Sequence, residues 1–258
     1  MKIIVCIKQV PNTDSVKLDP KTNNLVRSGV DGIINPYDKN AIETALRLKE
    51  QAGGEVILLS MGPDSYASSL REGLAMGADS AVLLSSRALG GADTLATGYS
   101  LAQAIQKIGA VDLILFGRQS IDADTGQVGP IVAEELNLPQ VTFADKVELL
   151  ENNIITGSRQ LDNATQKIRV SLPAAVTVGA DINQPRYATP VNIMQSFVKP
   201  LTTWSEKDLS LNPAQIGQAG SPTQVTKVYA PEVSAKQTTI LAKDPAEAVN
   251  ELLSDLDY

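Results

Sequence analysis

Apolar positions in the first 140 residues alternate between short continuous runs and stripes at helical spacing. Ile3–Ile7 is a continuous β-rich run and predicts a buried strand. Asn12–Asp31 is polar and broken by Pro20 and Gly29, which predicts a loop or a small excursion. After Asn35-Pro36-Tyr37-Asp38 the stripe Ala41, Ile42, Ala45, Leu46 and Leu48 predicts a helix that stops at Gly53-Gly54. Glu55–Ser60 is a second strand. Pro63-Asp64-Ser65 opens a helix carrying Leu70, Leu74 and Ala75, which closes near Gly77. Ala81–Leu84 is a third strand. Asp93–Ile108 is a third helix, with Leu95, Leu101, Ala102 and Ile105 facing in. Asp112–Phe116 is a fourth strand, and a fourth helix is expected from about Gln127 to Leu136. Nearly continuous apolar strands, each followed by a helix, indicate an α/β fold whose parallel sheet is covered on both faces. Ligands in such sheets sit outside the carboxyl ends of the strands. Three segments fall there: Asn35–Asp38, Ser60–Pro63 and Gly117–Gly126.

The pattern changes after Leu138-Pro139. Thr142–Leu150, Ile154–Gln160 and Lys167–Leu172 read as antiparallel strands, with a hairpin turn at Glu151-Asn152-Asn153. Ala174–Val178 returns to a core strand. From about Pro190 periodicity is lost, and prolines and glycines punctuate a long extended stretch that includes Trp204. It ends in a helix opened by Asp244-Pro245-Ala246-Glu247, with a stripe of Val249, Leu252, Leu253 and Leu256. A stretch with so little core of its own is expected to be an arm that packs on another chain, or one wrapped on its own domain.

Composition narrows the chemistry. The 258 residues include no histidine, one cysteine, one tryptophan, six tyrosines and three phenylalanines. Histidine-based nucleophile systems are excluded. Only carboxylates and one thiol remain as metal ligands, so no metal site is expected. With 43% apolar and 20% charged residues and a formal net charge of −7, the chain reads as globular and acidic. Nucleic acid and anionic membranes are poor partners for it, and no apolar run approaches a membrane span. The N-terminal run resembles a signal peptide only superficially, because Lys8 interrupts it, and the cytoplasm is the expected location.

Neither a Walker A sequence nor a G-x-G-x-x-G after a strand is present. The segment Gly117-Arg118-Gln119-Ser120-Ile121-Asp122-Ala123-Asp124-Thr125-Gly126-Gln127-Val128-Gly129-Pro130 joins a buried strand to a helix. Amides near Thr125–Val128 are free donors at a helix start and suit a phosphate. Asp122 and Asp124 would then accept from ribose hydroxyls or orient amides. The competing reading is a hydrophilic loop with Asp124 as N-cap. Asp93-Thr94-Leu95-Ala96-Thr97 likewise reads as a phosphate or ribose site, or as simple capping. Cys6 reads as an inert core thiol. Met61 reads as a contact to a flat ring or as core filler. Trp204 is a partner anchor or a local packing residue, and Arg186-Tyr187 is a surface turn.

Five segments carry a family resemblance: Asn35-Pro36-Tyr37-Asp38, Leu74-Ala75-Met76-Gly77-Ala78-Asp79, Gly117-Arg118-Gln119 with Ile121-Asp122, Leu172-Pro173-Ala174, and Asn183-Gln184-Pro185-Arg186-Tyr187-Ala188-Thr189. In this order they resemble the β subunit of electron-transfer flavoproteins. The resemblance implies an adenine-nucleotide α-hydrolase-like α/β domain over residues 1–200, with a hairpin region at about 141–172. It also implies that a C-terminal arm, residues 201–258, packs on an α subunit in a heterodimer. One branch of the family holds a structural AMP in the β subunit. The other holds a second FAD there and bifurcates electrons.

Asp122-x-Asp124-Thr125-Gly126-Gln127-Val128-Gly129-Pro130 and Gly90-Gly91-Ala92-Asp93-Thr94-Leu95-Ala96-Thr97 resemble the bifurcating branch. Proline at position 190 departs from AMP-bearing members, which carry near there an apolar side chain that helps dock a partner dehydrogenase. The resemblance implies nucleotide contacts at Cys6, Asn35, Pro36, Tyr37, Asp38, Met61 and Gly117 through Val128. Asp93, Thr94 and Thr97 are added candidates for the longer FAD. The implied activity is electron transfer with no catalytic side chain. FAD takes a hydride from NADH, or in reverse returns it to NAD. One electron goes to ferredoxin and the other, through the α-subunit FAD, to a partner flavin dehydrogenase. The alternatives are a non-bifurcating β subunit holding AMP, and a stand-alone nucleotide-binding stress or regulatory protein of the same fold.

Overall fold

The computed structural model describes residues 1–12, 17–18, 25–26, 32–151, 153–224, 226, 240–241 and 244–255, with backbone alone at 17–18 and 25–26. The chain divides into two compact units, Met1–Gln224 and Val225–Tyr258.

The first unit opens with β1 (Lys2–Cys6), β2 (Gln9–Pro11), β3 (Lys17–Leu18), β4 (Leu25–Val26) and β5 (Gly32–Ile34). β2 pairs with β5, and β3 with β4, in two small antiparallel ladders. Then follow α1 (Pro36–Ala52), β6 (Glu55–Met61), α2 (Ala67–Met76), β7 (Ser80–Leu84), α3 (Thr94–Ile108), β8 (Leu113–Gly117) and α4 (Val128–Glu135). β9 (Gln140–Ala144), β10 (Lys146–Leu150), β11 (Ile154–Gln160), β12 (Thr165–Ser171), β13 (Ala174–Val178), α5 (Pro190–Ser196) and β14 (Leu201–Trp204) complete it.

Seven of these strands form one parallel sheet in the order β14-β7-β6-β1-β8-β13-β9. Alternate residues of each strand feed opposite faces, as the period of two demands. Ile3, Val5, Leu58, Leu83, Leu113 and Leu115 pack on one face with the buried stripes of α1 and α2. Ile4, Cys6, Leu59, Leu84, Ile114 and Phe116 pack on the other, with Leu101, Ala102 and Ile105 of α3 and Val132 and Ala133 of α4. Leu95 was expected inside but is 44% exposed. It lies in the first turn of α3, off the face that carries Leu101 and Ile105.

Three further expectations are corrected. Thr142–Leu150 is not one antiparallel strand. Phe143 has φ +58° and the register against β13 slips beside it. The chain therefore leaves the parallel sheet as β9 and restarts at Lys146 as β10. The antiparallel sheet is β10-β11-β12, so its strands span 146–171. The extended stretch does not begin at Pro190, because Pro190–Ser196 is helical. Thr189 accepts a hydrogen bond from the Asn192 amide at 3.2 Å, and Pro190 takes the first turn of α5, where its missing N–H costs nothing. Leu201–Trp204 then pairs with β7 as the sheet's edge strand. Trp204 therefore belongs to the sheet, and the first unit runs past residue 200 to Gln224.

In the second unit, α6 (Pro245–Asp255) starts as its sequence predicts, with the Glu247 amide donating to Asp244 Oδ2 at 3.1 Å. Val249, Leu252 and Leu253 are exposed on it, and Leu256 lies outside the described residues. Among the described residues no helix is long and apolar enough to cross a membrane.

Candidate functional site

The chain proceeds outward from β1 through β6 to β7, then crosses back to place β8 on the other side of β1. The crevice between the carboxyl ends of β1 and β8 is thus the sheet's switch point, where open α/β sheets bind ligands. Asp38 sits there. Its carboxylate accepts the Lys8 amide at 2.7 Å and the Gly117 amide at 3.1 Å, so one side chain from α1 joins the ends of both strands. Burial pushes its pKa up to about 7, against the pull of those amides, the Asn35 side chain and the Lys8 charge. Asn35, also buried, donates to the Gln119 carbonyl at 2.8 Å and accepts from the Ile121 amide at 3.2 Å. The approach at Gly117 is tight. A Cβ there would fall 2.3 Å from Asp38 Oδ1 and 2.7 Å from the Tyr37 backbone.

Residues 118–127 arch over this crevice. Lys8 Nζ, at the end of β1, grips Asp122 at 2.7 and 2.8 Å and reaches Ser120 Oγ at 3.3 Å. Burial would raise the Asp122 carboxyl, but the hydrogen bonds from Lys8 and Ser120 hold it below its ordinary value. Asp124 is not the N-cap of α4. It has φ +49° and accepts from Gln119 Nε2 at 2.9 Å, while Gln127 occupies the cap position without a side-chain capping bond. Gly126 takes φ +61°. The amides of Thr125, Gly126, Gln127 and Val128 donate to no acceptor among the described residues. Four such donors at a helix start could hold an anion. Ala123 lies in the same arch, its amide donating to the Ser120 carbonyl.

The other expected positions divide. Pro36 and half-buried Tyr37 begin α1 beside Gly117. Met61 ends β6 and packs toward the α3 face. The Cys6 thiol is buried on that face, and burial pushes its pKa far up, so it is inert. Thr94 Oγ1 donates to Gln127 Oε1 at 2.8 Å and so joins the start of α3 to the arch. Thr97 is half-buried one turn further on. Asp93 is fully engaged elsewhere. One oxygen caps the Leu95 and Ala96 amides at 3.0 and 3.1 Å, and the other holds Thr223 at 2.8 Å.

Sequence reasoning missed Lys8, whose only signal was a lysine directly after a buried strand. It also misread Arg186. That residue is no plain surface turn: it donates to Glu43 at 2.7 Å and Glu50 at 2.6 Å on α1. Burial would raise the Glu43 carboxyl, but bonds from Arg186 and Arg47 keep it low. Asn40 and Asn183 exchange hydrogen bonds beside them. A cavity of about 640 Å³ opens here, away from the strand ends, among Glu43, Arg47, Glu50, Gly77 and Arg186. Its Glu43, Arg47, Glu50 and Arg186 charges are already paired with one another, and that of Lys49, which also lines it, with Asp79.

Comparison with known proteins agrees with this geometry. The family model described as the electron transfer flavoprotein domain matches residues 22–209. The chain is 44% identical over 257 residues to the caffeyl-CoA reductase-Etf complex subunit CarD of Acetobacterium woodii, covering 99% of this chain and 98% of that one. It is 43% identical to the electron transfer flavoprotein subunit beta of Clostridium acetobutylicum, with 99% and 98% covered. It is 39% identical to protein FixA of Azorhizobium caulinodans, with 99% and 94% covered. The chain belongs to the electron transfer flavoprotein family, on its β-subunit side.

Proposed function

We propose that this chain is the β subunit of a heterodimeric, bifurcating electron-transfer flavoprotein of the cytoplasm and that it holds FAD at the carboxyl ends of β1 and β8. The observation that carries this is the arch itself: four unpartnered amides at the start of α4, with Thr94 joined to them through Gln127. The residues fit the group. Thr125 through Val128 would hold phosphate, and the close packing of Gly117 on Asp38 and Tyr37 fixes the strand end from which the arch rises. Lys8 keeps Asp122 from repelling that phosphate. Thr94 and Thr97 extend the polar surface toward the start of α3 for a ligand longer than AMP.

Bound here, the flavin supplies hydride exchange with NADH or NAD and single-electron transfer to ferredoxin and, through the α-subunit FAD, to a partner flavin dehydrogenase. The chain's own groups bind and orient it, and none acts as acid, base or nucleophile. The arm beyond Gln224, with its exposed Val249, Leu252 and Leu253, packs on the α subunit. The exposed Val191, Met194, Phe197 and Val198 of the α5 region meet the partner dehydrogenase. Full-length similarity to a subunit named for a caffeyl-CoA reductase complex favours this reading.

The test is the cofactor content of the complex purified with its α subunit. About two FAD per heterodimer is the expected result. One FAD and one AMP would replace the bifurcating reading with the non-bifurcating one. A stable monomer that ignores the α subunit would overturn both in favour of a stand-alone nucleotide-binding protein.

A further inference from the structure

Phe143 occupies an uncommon backbone. β9 and β13 are in register at Val141–Val176 and again at Ala144–Val178, so Thr142 and Phe143 together oppose the single residue Thr177. The bulge leaves Phe143 at φ +58°, a region that bulky side chains rarely enter. It is locked in place. The Phe143 amide donates to Thr177 Oγ1 at 2.8 Å, and the Thr177 methyl packs so closely under α4 that a Cβ on Gly129 would lie 2.6 Å from it. Bulges beside functional sites re-aim side chains. This one turns an aromatic ring out of the sheet, leaving it 41% exposed.

The ring meets two parts of the arch. Its Cε1 and Cζ lie 3.8 Å from where a Cβ on Gly126 would stand. The Arg118 guanidinium carbon lies 4.8 Å from its centroid. The ring therefore touches both the Arg118 guanidinium and the arch at Gly126, just before α4. The arch's other charges are taken up: Lys8 by Asp122, and Asp124 by Gln119. Among the described residues no carboxylate pairs with Arg118. Without the ring, Arg118 would be free to fold back onto Asp122 or Asp124 and be lost to a ligand.

We propose that Phe143 is a positioning residue, whose ring holds the Arg118 guanidinium beside the α4 N-terminus to face the phosphate of the bound nucleotide. This rests on the nucleotide reading of the arch. A guanidinium stacked in advance loses less freedom on binding an anion than one that must be gathered from solvent.

The experiment uses the full chain with its α subunit, freed of bound nucleotide and titrated calorimetrically with AMP and with adenosine. Phe143→Leu is expected to raise the Kd for AMP about tenfold, the scale of a partly desolvated cation–π contact, and to leave adenosine unchanged. Phe143→Tyr, which keeps the ring, should restore AMP binding. Arg118→Ala should show the same AMP-specific loss, and adding Phe143→Leu to it should cost nothing more. Equal weakening of AMP and adenosine would overturn the proposal in favour of a merely structural ring. So would additive losses in the double variant, or no loss at all. Should Phe143→Leu not fold, Arg118→Lys decides the matter, because it keeps the charge but not the flat face. An AMP-specific loss supports the proposal and unchanged AMP affinity overturns it. Wild-type protein that binds neither probe would instead overturn the nucleotide reading itself.

Discussion

Asp38 should make the stability of this protein fall as the pH rises through neutrality. The residue is 6% exposed and its pKa is pushed up to about 7 by burial, against 3.8 for a free aspartate. Between those two values the folded chain keeps the proton and the unfolded chain releases it, so the folded state is favoured most below pH 3.8 and loses that advantage as the pH rises through 7. One pKa unit is worth about 1.4 kcal/mol, so the whole window spans roughly 4 kcal/mol. From pH 5 to pH 8 the loss amounts to about 2.5 kcal/mol. Asp38→Asn isolates the effect. Asparagine matches the shape of the protonated acid and does not titrate. It presents one amide nitrogen to the Lys8 or Gly117 N–H and so carries a constant penalty of about 1–3 kcal/mol. Urea unfolding of both proteins at pH 5, 6, 7 and 8 measures the difference. The wild type should lose about 2.5 kcal/mol relative to the variant across that range. Parallel profiles would refute the reasoning. They would mean that the two backbone donors and Lys8 outweigh burial and that the carboxylate is ionised throughout.

Two further substitutions probe the frame around the site. Arg186→Ala strips the nearly buried Glu43 of its main partner and should cost about 3 kcal/mol in urea unfolding, with Arg186→Lys recovering part of it. A loss under about 1 kcal/mol would show that Arg47 alone satisfies Glu43. Gly117→Ala places a Cβ against Asp38 and the Tyr37 backbone, neither of which can yield cheaply. It should destabilise by at least about 2 kcal/mol and lower the nucleotide content of the purified protein together with the melting temperature. Unchanged nucleotide content would mean that the ligand does not depend on this constriction.

The parallel sheet was legible because its strands are buried on both faces, so each reads as an uninterrupted apolar run between helices. β14 escaped for the converse reason. It is a four-residue edge strand, Leu-Thr-Thr-Trp, directly after Pro200, and its two threonines are exposed. α5 escaped because its apolar residues Val191, Ile193 and Met194 point outward and leave no inward stripe. Its proline, at the first helical position, starts the helix without adding to any stripe. The arch was visible as a glycine-bearing strand-to-helix loop, but not the roles within it. Which aspartate meets Lys8 and which meets Gln119 depends on left-handed turns at Asp124 and Gly126. Arg186 was beyond reach because Glu43 lies 143 residues away and local spacing carries no trace of it.

The crevice between β1 and β8 also gives the missing histidines a physical meaning. The donors around it are backbone amides and the cations Lys8 and Arg118, and Asp38, whose pKa lies near neutrality, faces the strand ends and is consumed in holding them together. Backbone dipoles do not titrate, so such a site would offer a ligand a steady field, apart from what Asp38 does to the spacing of its walls. A histidine among those donors would add a charge switching on and off in the working range, next to the phosphate proposed to sit there. The sequence departs from constancy at one point only, by burying a carboxyl at the switch point. The pH dependence of Asp38 is therefore also a test of how firmly the two strand ends must be held for the arch between them to keep its shape.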